Sequence, residues 1–346
     1  MSYNLYQLNR QGLPKLLEGV QDEAGWLNKR KAIMSLWLDL IGGIPERVPV
    51  RYTIIGEEKE EEHTRIHLVY DTVYGDTVPS YLLVPDDSVG GKDRHGRRPA
   101  VLALHPTNEL GKASVALSSG RENRRYGLEL VSRGYIVLAP DALTSGERIY
   151  DGLQHFHSKP FYEQHPHWST IGKNAVDHMQ GVDLLCSLEQ VDAQRIGVIG
   201  HSFGGYNSYF LAGLDERIQA AVSSCGFSPF YGDHRPTHWG ERDWYTHLPK
   251  MTEWLSRYEV PFEFHEIAAL AAPIPSFHYF GQTDTIFPHW QAIGECMAEL
   301  DGLYQFLGAS DKFQAVMTAK EHNFPPEIRG MAYAFLDRWL MESGQP

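Results

Sequence analysis

Cysteine is scarce in this chain. Only Cys186, Cys225 and Cys296 occur, widely spaced and odd in number. No CxxC is present, so neither a disulfide framework nor a cysteine zinc site is expected. No apolar run approaches the roughly 18 residues of a membrane span. The N-terminus, Met-Ser-Tyr-Asn-Leu-Tyr-Gln-Leu-Asn-Arg, lacks a basic stretch followed by an apolar core, so no signal peptide is expected and a cytoplasmic location is. Basic charge is in deficit, with 31 Lys and Arg against 44 Asp and Glu and a net charge of −13. That balance argues against nucleic acid or an anionic membrane as partner. Internal repeats and low-complexity tracts are absent. What remains is ordinary for a globular protein: 346 residues, 42% hydrophobic and 22% charged, enough for one large domain with an extension or for two domains.

The first 45 residues read as a helical extension. Trp26, Ile33, Leu36, Trp37, Leu40 and Ile41 recur at helical spacing, and Gly42-Gly43 ends the pattern. Strands are expected at 48–55 and 64–71, separated by a charged turn at 56–63, and at 80–84. From Ala100 strands and helices alternate. Strands are expected at 100–104, 135–139, 195–199, 220–224, 276–280 and 313–318, with helices at 123–133, 173–188, 206–214 and 326–341. Such alternation predicts an α/β fold, a mostly parallel central sheet with helices on both faces. In such sheets chemistry collects beyond the carboxyl ends of the strands. Between 226 and 272 the alternation stops in an aromatic-rich segment, expected to form a small cap-like insertion in a domain spanning 46–346.

Chemistry centres on Gly200-His201-Ser202-Phe203-Gly204. A serine between glycines, after a strand and before a helix, sits on a sharp turn with its hydroxyl exposed. A serine needs a base to become a nucleophile, so an acid and a histidine should follow. Asp284 lies just past the strand at 276–280, and His322 lies in the last loop before the terminal helix. Ser202 would attack a carbonyl, His322 would carry the proton, and Asp284 would hold the imidazole. An oxyanion hole needs two backbone donors. Phe203 N–H is one. The other is expected from the loop after Leu104, where Pro106 has no N–H, which selects Thr107 with Asn108 in reserve.

From about residue 50 onward the chain resembles the α/β-hydrolase superfamily, in particular its dienelactone-hydrolase-like and acetyl-xylan-esterase-like branch. The resemblance rests on 99–105, 133–141, Arg195 to Gly205, Gly281 to Asp284, His322 and the loop Ser145-Gly146-Glu147-Arg148. The order serine, acid, histidine is that of the superfamily. Dienelactone hydrolases proper use a cysteine where this chain has Ser202, and Pro106 stands where relatives usually carry glycine. The resemblance implies ester hydrolysis without naming the ester.

His201 is expected to pack rather than react, and Asp233 is an alternative acid. Asp141 reads as a solvated loop residue. His155, His157, His165 and His167 lie among Phe156, Phe161, Tyr162 and Trp168, which suggests a polar-aromatic pocket wall rather than a metal site. No metal and no cofactor is called for. The expected function is a serine carboxylesterase cleaving a small acyl ester, acetylated carbohydrate among the candidates. The partner is a small-molecule ester, and the N-terminal extension leaves room for a homodimer. A peptidase related to the prolyl oligopeptidases is the alternative, ranked second because only about 95 residues precede the first hydrolase strand; a non-catalytic binding protein ranks third.

Overall fold

Two helices open the chain, and each is capped by its own sequence. Asn4 accepts the N–H groups of Tyr6 and Gln7 at the start of Leu5–Gln11 (α1). Asp22 accepts the N–H of Gly25 at the start of Glu23–Ile41 (α2), which ends at Gly42 with φ 88°. The computed structural model describes residues 2–233 and 235–341.

The nine-stranded sheet comprises Tyr52–Lys59 (β1), His63–Asp71 (β2), Thr77–Pro85 (β3), Arg98–Leu104 (β4), Ile136–Pro140 (β5), Val191–His201 (β6), Ile218–Ser224 (β7), Ser276–Gly281 (β8) and Phe313–Thr318 (β9). Its spatial order is β9-β8-β7-β6-β4-β5-β3-β2-β1. The first three strands pair antiparallel, β3 runs antiparallel to β5, and the rest of the sheet is parallel. Strands β4 and β5 are buried along their whole length, as the continuous apolar runs require in a sheet covered on both faces. The principal helices of this region are Tyr126–Val131 (α3), Thr170–Ser187 (α4), Phe203–Leu214 (α5), Trp290–Phe306 (α6) and Pro326–Leu340 (α7).

Two expectations shift. The edge strand β1 lies four residues later than expected and is exposed at every position, so hydrophobicity carried little information about its ends. Helix α6 was not anticipated, although Ile293, Cys296, Met297, Leu300, Leu303 and Tyr304 form its buried stripe.

The N-terminal segment packs on the chain's own 226–272 segment. Tyr3–Asn4 pairs antiparallel with Glu259–Val260. Fully buried Trp37 lies with its ring 4.9 Å from Phe210 and 5.6 Å from Phe262. Arg30 donates to the carbonyl of Leu270. Through Phe210, α2 thus supports the helix that begins at Phe203.

Candidate active site

Parallel register brings the candidate residues to one edge of the sheet. Leu104 of β4 pairs with Gly200 of β6, and His201 pairs with Ser224 of β7. On the far side of β7, Gly281 of β8 pairs with Thr318 of β9. Thr107, Ser202, Asp284 and His322 therefore each lie one to four residues past a registered strand end.

Ser202 occupies a backbone conformation that L-residues avoid, φ 55° and ψ −117°. Its N–H donates to Ser224 O at 2.8 Å. The flanking glycines are sterically required. A Cβ on Gly204 would lie 1.9 Å from Leu104 O, and one on Gly200 would lie 2.1 Å from Gly204 O. The turn closes only because strand and helix approach without side chains between them.

Asp284 is buried and spends both oxygens. Oδ1 accepts the N–H of Ile286 at 2.8 Å and of Phe287 at 3.0 Å, and Oδ2 accepts His322 Nδ1–H at 2.7 Å. Burial opposes ionisation of this carboxyl, but the imidazole and the two N–H groups outweigh it and hold it below the ordinary range. With Nδ1 engaged, Nε2 is the nitrogen of His322 available to a second partner. Among the described residues no hydrogen bond joins it to Ser202, as is common before substrate binds. Gly281 permits this pairing, since a Cβ there would lie 2.2 Å from Lys320 O. The His322 loop is further held by Arg124, which donates to His322 O at 3.3 Å.

His201 does not take part. Its Nδ1 bonds Ser224 Oγ at 2.9 Å in the core, and burial pushes its pKa well down. Asp233 faces His238, at 3.5 Å, rather than His322.

Phe203 is the first residue of α5, so its N–H has no intrahelical acceptor. Thr107 and Phe203 line one cavity with Ser202, of about 570 Å³. The N–H of Thr107 donates to no described residue. His105, which the sequence reading left without a role, fastens this loop. Its Nδ1–H donates to Pro106 O at 2.8 Å, and its Nε2 accepts the N–H of Ala142 at 3.0 Å. Those partners fix a neutral tautomer, in keeping with burial lowering its pKa.

Asp141 is a correction. It is buried rather than solvated. It accepts the N–H of Lys112 at 2.7 Å, Lys112 Nζ at 2.6 Å and the N–H of Glu147 at 3.0 Å. A loop aspartate is expected in water unless donors surround it, and here the loop at 111–112 and 146–147 folds around it. Of the histidine-rich loop, Phe156 reaches the Ser202 cavity. His165 packs with Tyr74, Phe161 and Trp168 instead.

Among the described residues, ligand atoms of Cys225, Asp284 and His322 lie within 4.8 Å of one another. As a metal site the set is poor. Burial pushes the Cys225 thiol up to about 12, and a metal needs the thiolate. Asp284 and His322 Nδ1 are already bonded to each other.

The sheet order, the covering helices and the turn after β6 are those of the α/β-hydrolase superfamily, and the chain is a serine-type hydrolase. The profile of the Prolyl oligopeptidase family matches residues 125–343, and the chain belongs to that family. A protein of Bacillus subtilis (strain 168) described as the hydrolase YtaP is 27% identical over 305 residues, covering 87% of this chain and 96% of that protein. Dipeptidyl-peptidase 5 of Porphyromonas gingivalis is 28% identical over 158 residues, covering 45% of this chain and 20% of that protein. The glucuronoyl esterase from Solibacter usitatus superposes with a TM-score of 0.71 at 17% identity, covering 94% of this chain and 97% of that one. At that identity the likeness establishes the fold.

Proposed function

We propose that the chain is a carboxylesterase that works through an acyl-enzyme on Ser202, with His322 as general base and Asp284 as its orienting partner. The observation that carries the reading is the Asp284–His322 hydrogen bond of 2.7 Å, formed two strands across the sheet from a serine held at φ 55°. Ser202 Oγ attacks the acyl carbonyl while its proton passes to His322 Nε2. The oxyanion is met by the N–H groups of Phe203 and Thr107, both unspent and both on the cavity wall. The imidazolium, stabilised by Asp284, returns the proton to the departing alcohol. Water then repeats the sequence to release the acid.

Ester rather than peptide cleavage is supported by the cavity wall. An enzyme that trims free N-termini needs a carboxylate to meet the substrate ammonium, and none of the described residues lining this cavity is Asp or Glu. The esterase from Solibacter usitatus matches along nearly its whole length, whereas the dipeptidyl-peptidase matches over 20% of its own. A fluorophosphonate probe should label the wild type and not Ser202→Ala, and 4-nitrophenyl acetate should give a burst of nitrophenol. Equal labelling of both proteins refutes the role of Ser202. Turnover of aminoacyl nitroanilides without ester turnover refutes the esterase reading.

A further inference from the structure

The chain is acidic overall, with a net charge of −13, yet the cavity beside Ser202 is lined by Arg235 and Arg242 and by no carboxylate. Neither arginine forms an ion pair among the described residues. Elsewhere, the buried bases Arg148, Lys173 and Lys112 each contact carboxylates. Asp233, near this wall, faces His238. Leaving a half-buried guanidinium without a counter-ion is costly unless something arrives to meet it.

Arg242 is also held in a set position. Its guanidinium lies 4.2 Å from the centre of the Trp244 ring, Nε donates to Tyr245 O at 3.0 Å, and Nη2 donates to His247 Nδ1 at 3.2 Å. Two of five N–H groups are thus used, and three remain. Because Nδ1 of His247 accepts, its Nε2 carries the proton and donates to Tyr206 Oη at 2.8 Å. Burial keeps this imidazole neutral, with its pKa pushed well down. The Tyr206 hydroxyl, already an acceptor, keeps its own proton to give. Tyr206 lines the same cavity, so a fixed guanidinium fork and a phenolic O–H donor share one wall.

We propose that Arg242, assisted by Tyr206, forms an anion subsite, and that the substrate is an ester carrying a free carboxylate in its acyl or alcohol portion. The proposal rests on the esterase reading and specifies its substrate class. A planar carboxylate matches the fork of an arginine better than the point charge of a lysine.

Matched pairs of esters test it: mono-4-nitrophenyl succinate, glutarate and adipate against their methyl-capped counterparts for the acyl side, and 3-acetoxybenzoate against its methyl ester for the alcohol side. In at least one pair the wild type should prefer the free carboxylate by about tenfold or more in kcat/KM, the scale of one charge-assisted hydrogen bond. Arg242→Gln should bring that preference near unity, and Arg242→Lys should keep part of it. A capped ester that is as good in every pair, or a preference that survives Arg242→Gln in a protein with a wild-type melting curve, overturns the proposal while leaving the esterase reading intact. Calorimetric titration of adipate and benzoate into Ser202→Ala separates the two failures. If no ester is turned over but binding is seen and is lost with Arg242→Gln, the subsite stands and the esterase reading falls. If neither binding nor preference is seen, the subsite falls.

Discussion

The buried pair Lys112–Asp141 offers the sharpest test of how the candidate oxyanion loop is held. Asp141 stands directly after β5, its side chain without solvent exposure, and Nζ of Lys112, whose side chain is 3% exposed, lies 2.6 Å away. Two backbone N–H groups, of Lys112 and Glu147, also end on this carboxylate. The loop is shaped to it: a Cβ on Gly111 or Gly146 would lie 2.1 or 2.2 Å from Asp141 Oδ1. The next residue, Ala142, donates to His105 at the root of the same loop. Asp141→Ala removes the main counter-ion of Lys112, whose remaining anionic partner, Glu147, is 48% exposed, and it strands two N–H donors.

Breaking one side of a buried pair costs about 3–5 kcal/mol, and a stranded donor costs about 1–3 kcal/mol, with the terms less than additive. Partial relief from Glu147 brings the expected loss to about 4 kcal/mol, which a domain of ordinary stability survives. Urea unfolding of wild type and variant at neutral pH measures it. Because Thr107 rides on this loop, turnover of 4-nitrophenyl acetate should also fall by about 10- to 100-fold, the scale of a displaced oxyanion donor. The double variant Lys112→Met, Asp141→Leu should recover much of the stability, since no charge is left stranded. It should recover little of the activity, because the two N–H groups still lack their acceptor. A stability loss below about 1 kcal/mol for Asp141→Ala, or a double variant no better than the single, refutes the reasoning.

Asp284→Asn keeps the shape of the pair but should impose the wrong imidazole tautomer, so kcat for 4-nitrophenyl acetate should drop by about 10⁴-fold with fluorescence and melting temperature little changed; a loss under tenfold would remove Asp284 from its proposed role. Glu263 is fully buried and burial pushes it up to about 7 from 4.5, although three backbone N–H groups pull the other way. A carboxyl raised in the folded state contributes its stability below the unfolded value and loses it as pH rises, so about 3 kcal/mol should disappear between pH 4.5 and 7. Unfolding midpoints across that range should show the decline in the wild type and a flatter curve in Glu263→Gln. Gly204→Ala sets a Cβ 1.9 Å from Leu104 O and 2.9 Å from His105 O, both backbone atoms. It should abolish probe labelling of Ser202 and cost more than about 3 kcal/mol; a variant with wild-type stability would show that the turn is less constrained than its contacts require.

Residues near the ends of parallel strands were legible in the sequence, and the reason is geometric. Short apolar runs mark the strands, and parallel register places whatever follows them on one edge. Ser202, Asp284 and His322 each follow such a run within a few residues, so reading the runs sufficed to collect them. Asp141 also follows such a run, yet its burial was not legible. Whether a loop aspartate is solvated depends on which donors fold over it, and Lys112 comes from 29 residues away. The same limit applies more strongly to the proposed anion subsite. Arg242 is one of many charged residues in its segment, and nothing local marks it as unpaired. That property belongs to the assembled wall, where Tyr206 of α5 meets His247, and where the 226–272 segment is braced by α2 through Trp37 and Phe262. The candidate catalytic residues are therefore written beside strand ends, whereas the proposed anion subsite is written in contacts between segments far apart in the chain. If both proposals hold, a change at Trp37 that loosened this brace should accordingly alter the kcat/KM ranking of the matched test esters before it alters fluorophosphonate labelling of Ser202.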